Sequence, residues 1–263
     1  MSKTNNTTQK KECEIIAVAN QKGGVGKTTT AINLGASLAI AEKNVLIIDM
    51  DPQANTTTGL GIDKKVIEKD IYAVLEGKFP VNEAILDYEL KFLKVLPSSR
   101  NFARFELEVA TENDNHLYLK KVVEQVKDQF DYIIIDSPPS LGIITINALT
   151  AARSVLIPIQ TEYYALEGLS DLIDTIERTR ENFNPNLEIK GILLTMYDER
   201  TNLSKQVEEE IRKFFNANVY NSIVPRNIRL SEAPSFGKPI QLYAIKSAGS
   251  QAYMALAKEI LNQ

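Results

Sequence analysis

One stretch, IIAVANQKGGVGKTTT at 15–30, constrains the fold of this chain more than any other. Ile15, Ile16, Ala17 and Val18 form an apolar run with the length and composition of a buried strand. Residues 20–27 form a glycine-rich turn, and Thr28 opens a run in which Ala31, Leu34 and Leu38 recur at helical spacing. Strand, glycine loop and helix in that order predict a phosphate-binding loop. Gly23, Gly24 and Gly26 let the backbone turn tightly and aim several N–H groups inward, because no Cβ intrudes. Together with the positive end of the following helix they make an anion cradle suited to a polyphosphate. Val25 lies within this cradle. Lys27 adds a point charge for the outer phosphates, and the Thr28 hydroxyl is suited to coordinating Mg2+.

The common form of such a loop wants a glycine where this chain has Gln21, and the chain places a second lysine, Lys22, beside it. That cation is either a surface charge or a second catalytic cation. Downstream, an apolar strand at 45–48 ends in Asp49-Met50-Asp51-Pro52-Gln53. Acids at the carboxyl end of a buried strand stand where α/β folds place ligands. Alternation along an extended chain puts Asp49 and Asp51 on one face and Met50 on the other. A third apolar strand, 132–135, ends in Asp136-Ser137-Pro138-Pro139, so Asp136 reads as the acid that holds a Mg2+ shell.

The remaining chain alternates in the same way. Short helices are expected at 70–75 and 83–86, a strand at 92–96 and helix over 100–109. Helices follow at 116–129, 141–152, 166–183, 202–215 and 247–261, with strands at 154–159, 189–195 and, last, 219–224. Thr161, Glu162, Tyr163 and Tyr164 fall just past the strand at 154–159. Fully apolar strands separated by helices predict an α/β fold, a mostly parallel twisted sheet with helices on both faces. The expected organisation is a polar, disordered tail at 1–12 and one domain over 13–263.

The loop form K-G-G-x-G-K-[ST]-T resembles the deviant Walker A box of the ParA/MinD family of P-loop ATPases. The resemblance extends through DMDPQ at 49–53, DSPPS at 136–140 and QTEYYALEG at 160–168, then TMYDERTNL at 195–203 and VPRNIRLSEAPSFGKPI at 224–240. The last two are similar to the partition branch, ParA and Soj. The resemblance implies a single-domain P-loop NTPase fold that hydrolyses ATP with Mg2+. It implies that Lys27 grips the β and γ phosphates, Thr28 ligates Mg2+ and Thr29 meets the α phosphate. Asp51 would position the attacking water, while Asp49 and Asp136 hold Mg2+ through its waters. Lys22 would reach across a homodimer to the partner's nucleotide, and Met196, Pro225 and Asn227 would line the adenine. It further implies non-specific double-stranded DNA as a ligand, with Arg200 and Arg229 at the contact, and a ParB-type protein as the stimulating partner.

The charge balance agrees with a local DNA patch only. With a net charge of −4 over 263 residues, the whole surface is not a nucleic-acid binder. Between 220 and 250, however, Arg226, Arg229, Lys238 and Lys246 face a single acid, Glu232. A single cysteine, Cys13, excludes an internal disulfide and points to the cytoplasm, with nucleoid association implied by the resemblance. No run approaches the roughly 20 apolar residues of a membrane span, and MSKTNNTTQKK lacks the apolar segment of a secretory signal. The lone histidine, His116, reads as helix-start surface. Three functions compete: a partition ATPase, a MinD-like membrane ATPase, and a nucleotide-gated scaffold that barely hydrolyses. AYMALAKEILNQ at the end looks like a packed core helix and not a basic lipid-binding one, so no membrane partner is expected. A biosynthetic relative would need a substrate pocket that no motif marks.

Overall fold

The computed structural model describes residues 12–162, 165–215 and 218–263. The expected tail, apart from its last residue, and Tyr163 and Tyr164 lie outside the described residues.

The apolar runs form the strands β1 (Glu14–Val18), β2 (Val45–Asp49), β3 (Leu86–Asp87), β4 (Leu93–Leu96), β5 (Tyr132–Asp136), β6 (Ser154–Gln160) and β7 (Glu188–Thr195). They make one sheet in the order β3-β4-β2-β5-β1-β6-β7, parallel throughout except where β3 pairs antiparallel with β4. Alternation divides the side chains between two cores. Ala17, Leu46, Ile48, Met50, Ile133 and Ile135 pack on one face, and Ile16, Val18, Val45, Ile47 and Ile134 on the other. Both faces are covered, as strands apolar on both sides require.

Helix α1 (Lys27–Ile40) covers the second face together with the C-terminal helix, α5 (Ala248–Leu261); Leu34, Leu38, Tyr253 and Leu256 are buried there. Helices α2 (Ile143–Ala151), α3 (Ala165–Asn182) and α4 (Asn202–Phe215) close the first face through residues such as Ile144, Leu172, Ile176 and Ile211. The strands β1, β2 and β5 run in the same direction side by side, so the loop after β1 and the acids ending β2 and β5 meet at the carboxyl end of the central strands.

Four expectations are corrected. Residues 219–224 do not form a strand. Isolated bridges, Ile192↔Val219 and Tyr197↔Pro225, and single backbone bonds such as Val224 N–H to the Leu194 carbonyl tie this stretch to β7 and the residues just after it. No ladder forms, because Glu259 of α5 captures the amides of Asn221 and Ser222 that one would use. The helix expected at 83–86 runs over Val81–Ala84, and Leu86 belongs to the antiparallel edge, opposite Val95. The helix expected at 116–129 is shorter, Tyr118–Glu124 with a tight turn at Lys127–Gln129. His116 is not plain surface: its ring stacks on Phe183 with centroids 4.2 Å apart.

Candidate nucleotide site

The loop between β1 and α1 is built around positive backbone angles. Gly24 (φ 78°) and Gly26 (φ 94°) take the left-handed conformation that a Cβ disfavours, and Gly26 is the residue from which α1 starts. The loop is tied down at both ends. Asn20 donates its amide to the Pro158 carbonyl at 2.8 Å and accepts from the Lys22 N–H at 2.9 Å. The Thr195 hydroxyl donates to the Val25 carbonyl at 2.8 Å. Beside Gly23 and Gly24 there is open space where a Cβ would stand, and a cleft lined by Gly23, Lys27, Thr28, Thr29 and Asp51 opens there.

The two lysines of the loop differ. Lys27 is buried, and its Nζ donates to the Lys22 carbonyl at 3.0 Å, closing the loop. Burial lowers its pKa, while Asp136 and Asp51 nearby pull the other way. Lys22 is half-exposed, with its Nζ donating to Glu162 Oε2 at 2.9 Å.

The acids sit side by side. Asp49 and Asp136 are register partners on adjacent strands β2 and β5, and neither has any exposed surface. Asp49 is clamped: its Oδ2 accepts from the Thr57 N–H and hydroxyl at 2.8 and 2.6 Å, and its Oδ1 from the Asp51 N–H at 3.1 Å. Asp136 Oδ2 accepts from the Thr28 and Thr56 hydroxyls, both at 2.8 Å. Its other oxygen, Oδ1, is buried with no hydrogen-bond partner. Burial first, then the charge of Asp49, pushes the Asp136 carboxyl well above the usual carboxylate range. Burial also raises Asp49, against the pull of its Thr57 bonds. Asp51, also buried, accepts from the Gln53 N–H at 2.9 Å, and its carbonyl accepts from the Ser98 hydroxyl.

A buried carboxylate with an orphaned oxygen, next to a second acid and the Thr28 hydroxyl, is a donor set that fits a divalent cation. Among the described residues no group of three or more histidine, cysteine or acidic side chains forms a cage for a metal. That donor set suits Mg2+, which keeps several waters and takes one or two protein oxygens plus substrate phosphates.

Met196, Pro225 and Asn227 line one cleft with Gly26 and Thr29. Met196 carries a positive φ of 51° at the end of β7. The Asn227 side chain accepts from the Arg229 N–H at 3.0 Å, capping the turn Ile228–Glu232. Arg229 and Arg200 stand outside the cleft. Arg229 is exposed and donates to Glu232 at 2.8 Å, and the same Glu232 oxygen accepts from the Tyr243 hydroxyl. Arg200 is exposed and bidentate to Asp198, at 2.8 and 2.7 Å, which draws the Asp198 carboxyl down to about 2.

The structure thus brings together the loop, Asp49, Asp51, Asp136 and the Met196, Pro225 and Asn227 wall, and leaves Arg200 and Arg229 apart from them. Residues without an assigned role also belong to the site. Thr56 and Thr57, in the TTT run after DMDPQ, fix the two buried acids, and Asn20 anchors the loop. Their signal was a cluster of hydroxyl residues one turn past a strand-end acid pair. No helix of the described residues is long and apolar enough to cross a membrane.

A family described as an AAA domain matches residues 13–189. The chain is 51% identical over 249 residues to the chromosome partitioning protein ParA of Myxococcus xanthus, covering 95% of this chain and 88% of that one. It is 52% identical over 247 residues to the sporulation initiation inhibitor protein Soj of Bacillus subtilis, covering 94% and 98%. Among solved structures, cobyrinic acid a,c-diamide synthase from Mycobacterium smegmatis, with bound ADP and magnesium, superposes with a TM-score of 0.84 at 33% identity. That match covers 95% of this chain and 94% of that one.

Proposed function

Because this chain belongs to the ParA/Soj family of chromosome-partitioning ATPases, we propose that it is a Mg2+-dependent ATPase whose ATP-bound dimer holds DNA. The observation that carries the reading is the orphaned Oδ1 of Asp136 beside Thr28 at the mouth of the glycine loop. A partition role fits the 51–52% relatives.

Phosphoryl transfer asks a protein for placement and charge, and little covalent chemistry. The loop amides and Lys27 bind and orient the β and γ phosphates, and Thr29 meets the α phosphate. Thr28, with Asp49 and Asp136 through waters, would hold Mg2+, which when bound neutralises charge between the β and γ phosphates. Asp51 orients a water toward the terminal phosphate. Met196, Pro225 and Asn227 form the adenine wall. Lys22 supplies its cation to the nucleotide of a second copy, so the site is complete only in the dimer.

Arg200 and Arg229, paired across two protomers, would contact DNA phosphates; two weak patches joined in one particle bind far better than one. A ParB-type protein would stimulate turnover and release, with the protein working in the cytoplasm on nucleoid DNA. The test is light scattering of Asp51→Ala with ATP and Mg2+. A stable dimer that does not form with ADP is expected, and a monomer with ATP would sink the reading.

A further inference from the structure

Within one protomer the two loop lysines are committed to different partners. Lys27 turns onto the loop itself, bonding the Lys22 carbonyl at 3.0 Å. The Lys22 ammonium is held 2.9 Å from Glu162, a residue 140 positions away in sequence. That carboxylate is itself oriented. Gln160, the last residue of β6, donates to its other oxygen, and the intervening Thr161 is buried and bonded to Ser204 at 3.2 Å. Glu162 therefore stands on a fixed strand end, one strand over from the β1 that feeds the loop.

We propose that Glu162 is a latch acting in cis on Lys22. It occupies, in the protomer's own frame, the cation that the ATP-bound dimer uses on the partner's nucleotide. Dimerisation exchanges the Lys22–Glu162 pair for a Lys22–phosphate pair. This inference rests on the dimer reading given above.

Magnitudes favour an exchangeable latch over a lock. The two side chains are 39% and 45% exposed, and ion pairs that wet are weak and screened by salt. A polyphosphate carries more negative charge than one carboxylate and, in an interface closed to water, attracts the ammonium more strongly. A fully buried Lys22–Glu162 pair would resist that exchange, because stripping the lysine from it would strand a buried charge. The observed exposure allows the partner's triphosphate to win while leaving a lone protomer with its lysine occupied.

The experiment compares full-length Asp51→Ala with Asp51→Ala/Glu162→Gln, titrated with ATP and Mg2+ by sedimentation or light scattering at low and high salt. The double variant is expected to dimerise at a several-fold lower protein concentration, since each dimer releases two latches and each is worth up to about fivefold. The gap should close at high salt, where the latch of the single variant is already screened. Glu162→Asp, which keeps the charge on a shorter arm, should fall between the two. Equal or weaker dimerisation of the double variant, with Asp51→Ala dimerising normally, overturns the latch and leaves the dimer reading standing. A gap that persists unchanged at high salt also overturns it. Failure of both variants to dimerise with ATP overturns the dimer reading and the latch together.

Discussion

At the carboxyl ends of β1, β2 and β5 the charged side chains other than Lys22 are buried, and neighbours fix them. Lys27 closes on a loop carbonyl, Asp49 is clamped by Thr57 and the Asp51 amide, and Asp136 is held by Thr28 and Thr56. At Arg200 and Arg229 the side chains are 86% and 55% exposed, each in one local ion pair on the surface. Both regions are read as meeting phosphate. Transferring a phosphoryl group needs atoms held within fractions of an ångström, so the site spends buried hydrogen bonds on position. Attracting the DNA backbone needs only charge at the right side of the molecule, and a mobile, hydrated guanidinium suffices.

The contrast predicts unequal penalties. Lys27→Ala should cost most. On the proposed reading it removes charge-assisted bonds to two phosphates, worth about 3–6 kcal/mol together, so ATP affinity measured by calorimetry should fall by about 10²–10⁴-fold. Near-normal affinity would mean that the cleft is not the nucleotide site. Arg229→Glu comes next. If the proposed DNA-holding dimer forms, each dimer would lose two phosphate contacts and gain two repulsions, so affinity for random duplexes should drop about 100-fold and the salt slope should flatten by about two. Basal ATP turnover should stay near that of the unaltered protein. If turnover fell in parallel, the two regions would not be separable in the way their geometry indicates.

A smaller effect concerns the orphaned acid in the absence of Mg2+. Asp136 is raised well above the usual carboxylate range when folded and returns to about 3.9 when unfolded. The folded chain therefore holds that proton more tightly. The resulting stability is present below the unfolded value and is lost as pH rises through the raised folded value, by no more than about 1.4 kcal/mol per pH unit. In metal-free thermal melts, Asp136→Asn should flatten this decline across the same interval. An unchanged slope would show that the carboxyl is ionised and satisfied without a cation. The smallest effect lies at the exposed end of the comparison. Glu232→Gln frees the Arg229 guanidinium from its half-buried partner and should tighten duplex binding only a few-fold at low salt, and not at all at high salt.

Legibility in the sequence follows the same division. The loop, the acids and the strands feeding them were readable because local chemistry dictates them. Glycine is needed at the positive angles of Gly24 and Gly26, and unbroken apolar runs are needed where β2 and β5 are buried on both faces. What escaped depended on partners far along the chain. The stretch at 219–224 has strand composition, but Glu259 takes two of its amides. The antiparallel pairing of Leu86 with Val95 is set by a neighbouring strand and not by its own residues. The clamping roles of Thr56 and Thr57 become visible only once β2 and β5 lie adjacent, with Asp49 beside Asp136. Glu162 was visible at a strand end, yet nothing local to it indicates that it holds Lys22.

The packing of α1 on α5 has a consequence for how the protein comes into being. The Thr30 hydroxyl, one turn into α1, pairs with the buried Tyr253 hydroxyl at 3.1 Å, and Leu34 and Leu38 are covered together with Leu256 and Ile260. On a ribosome, the phosphate loop and its helix emerge early, while Tyr253 and the rest of α5, which cover one side of that helix, are made more than two hundred positions later. A growing chain therefore carries its ATP loop on a helix that can meet the sheet on one side while the side that α5 covers is still bare. A message cut short before residue 248 yields a chain whose first helix can still pack on the sheet through the side that meets Ile47 and Ile134, but whose opposite side, with Thr30 deprived of Tyr253, stays in water.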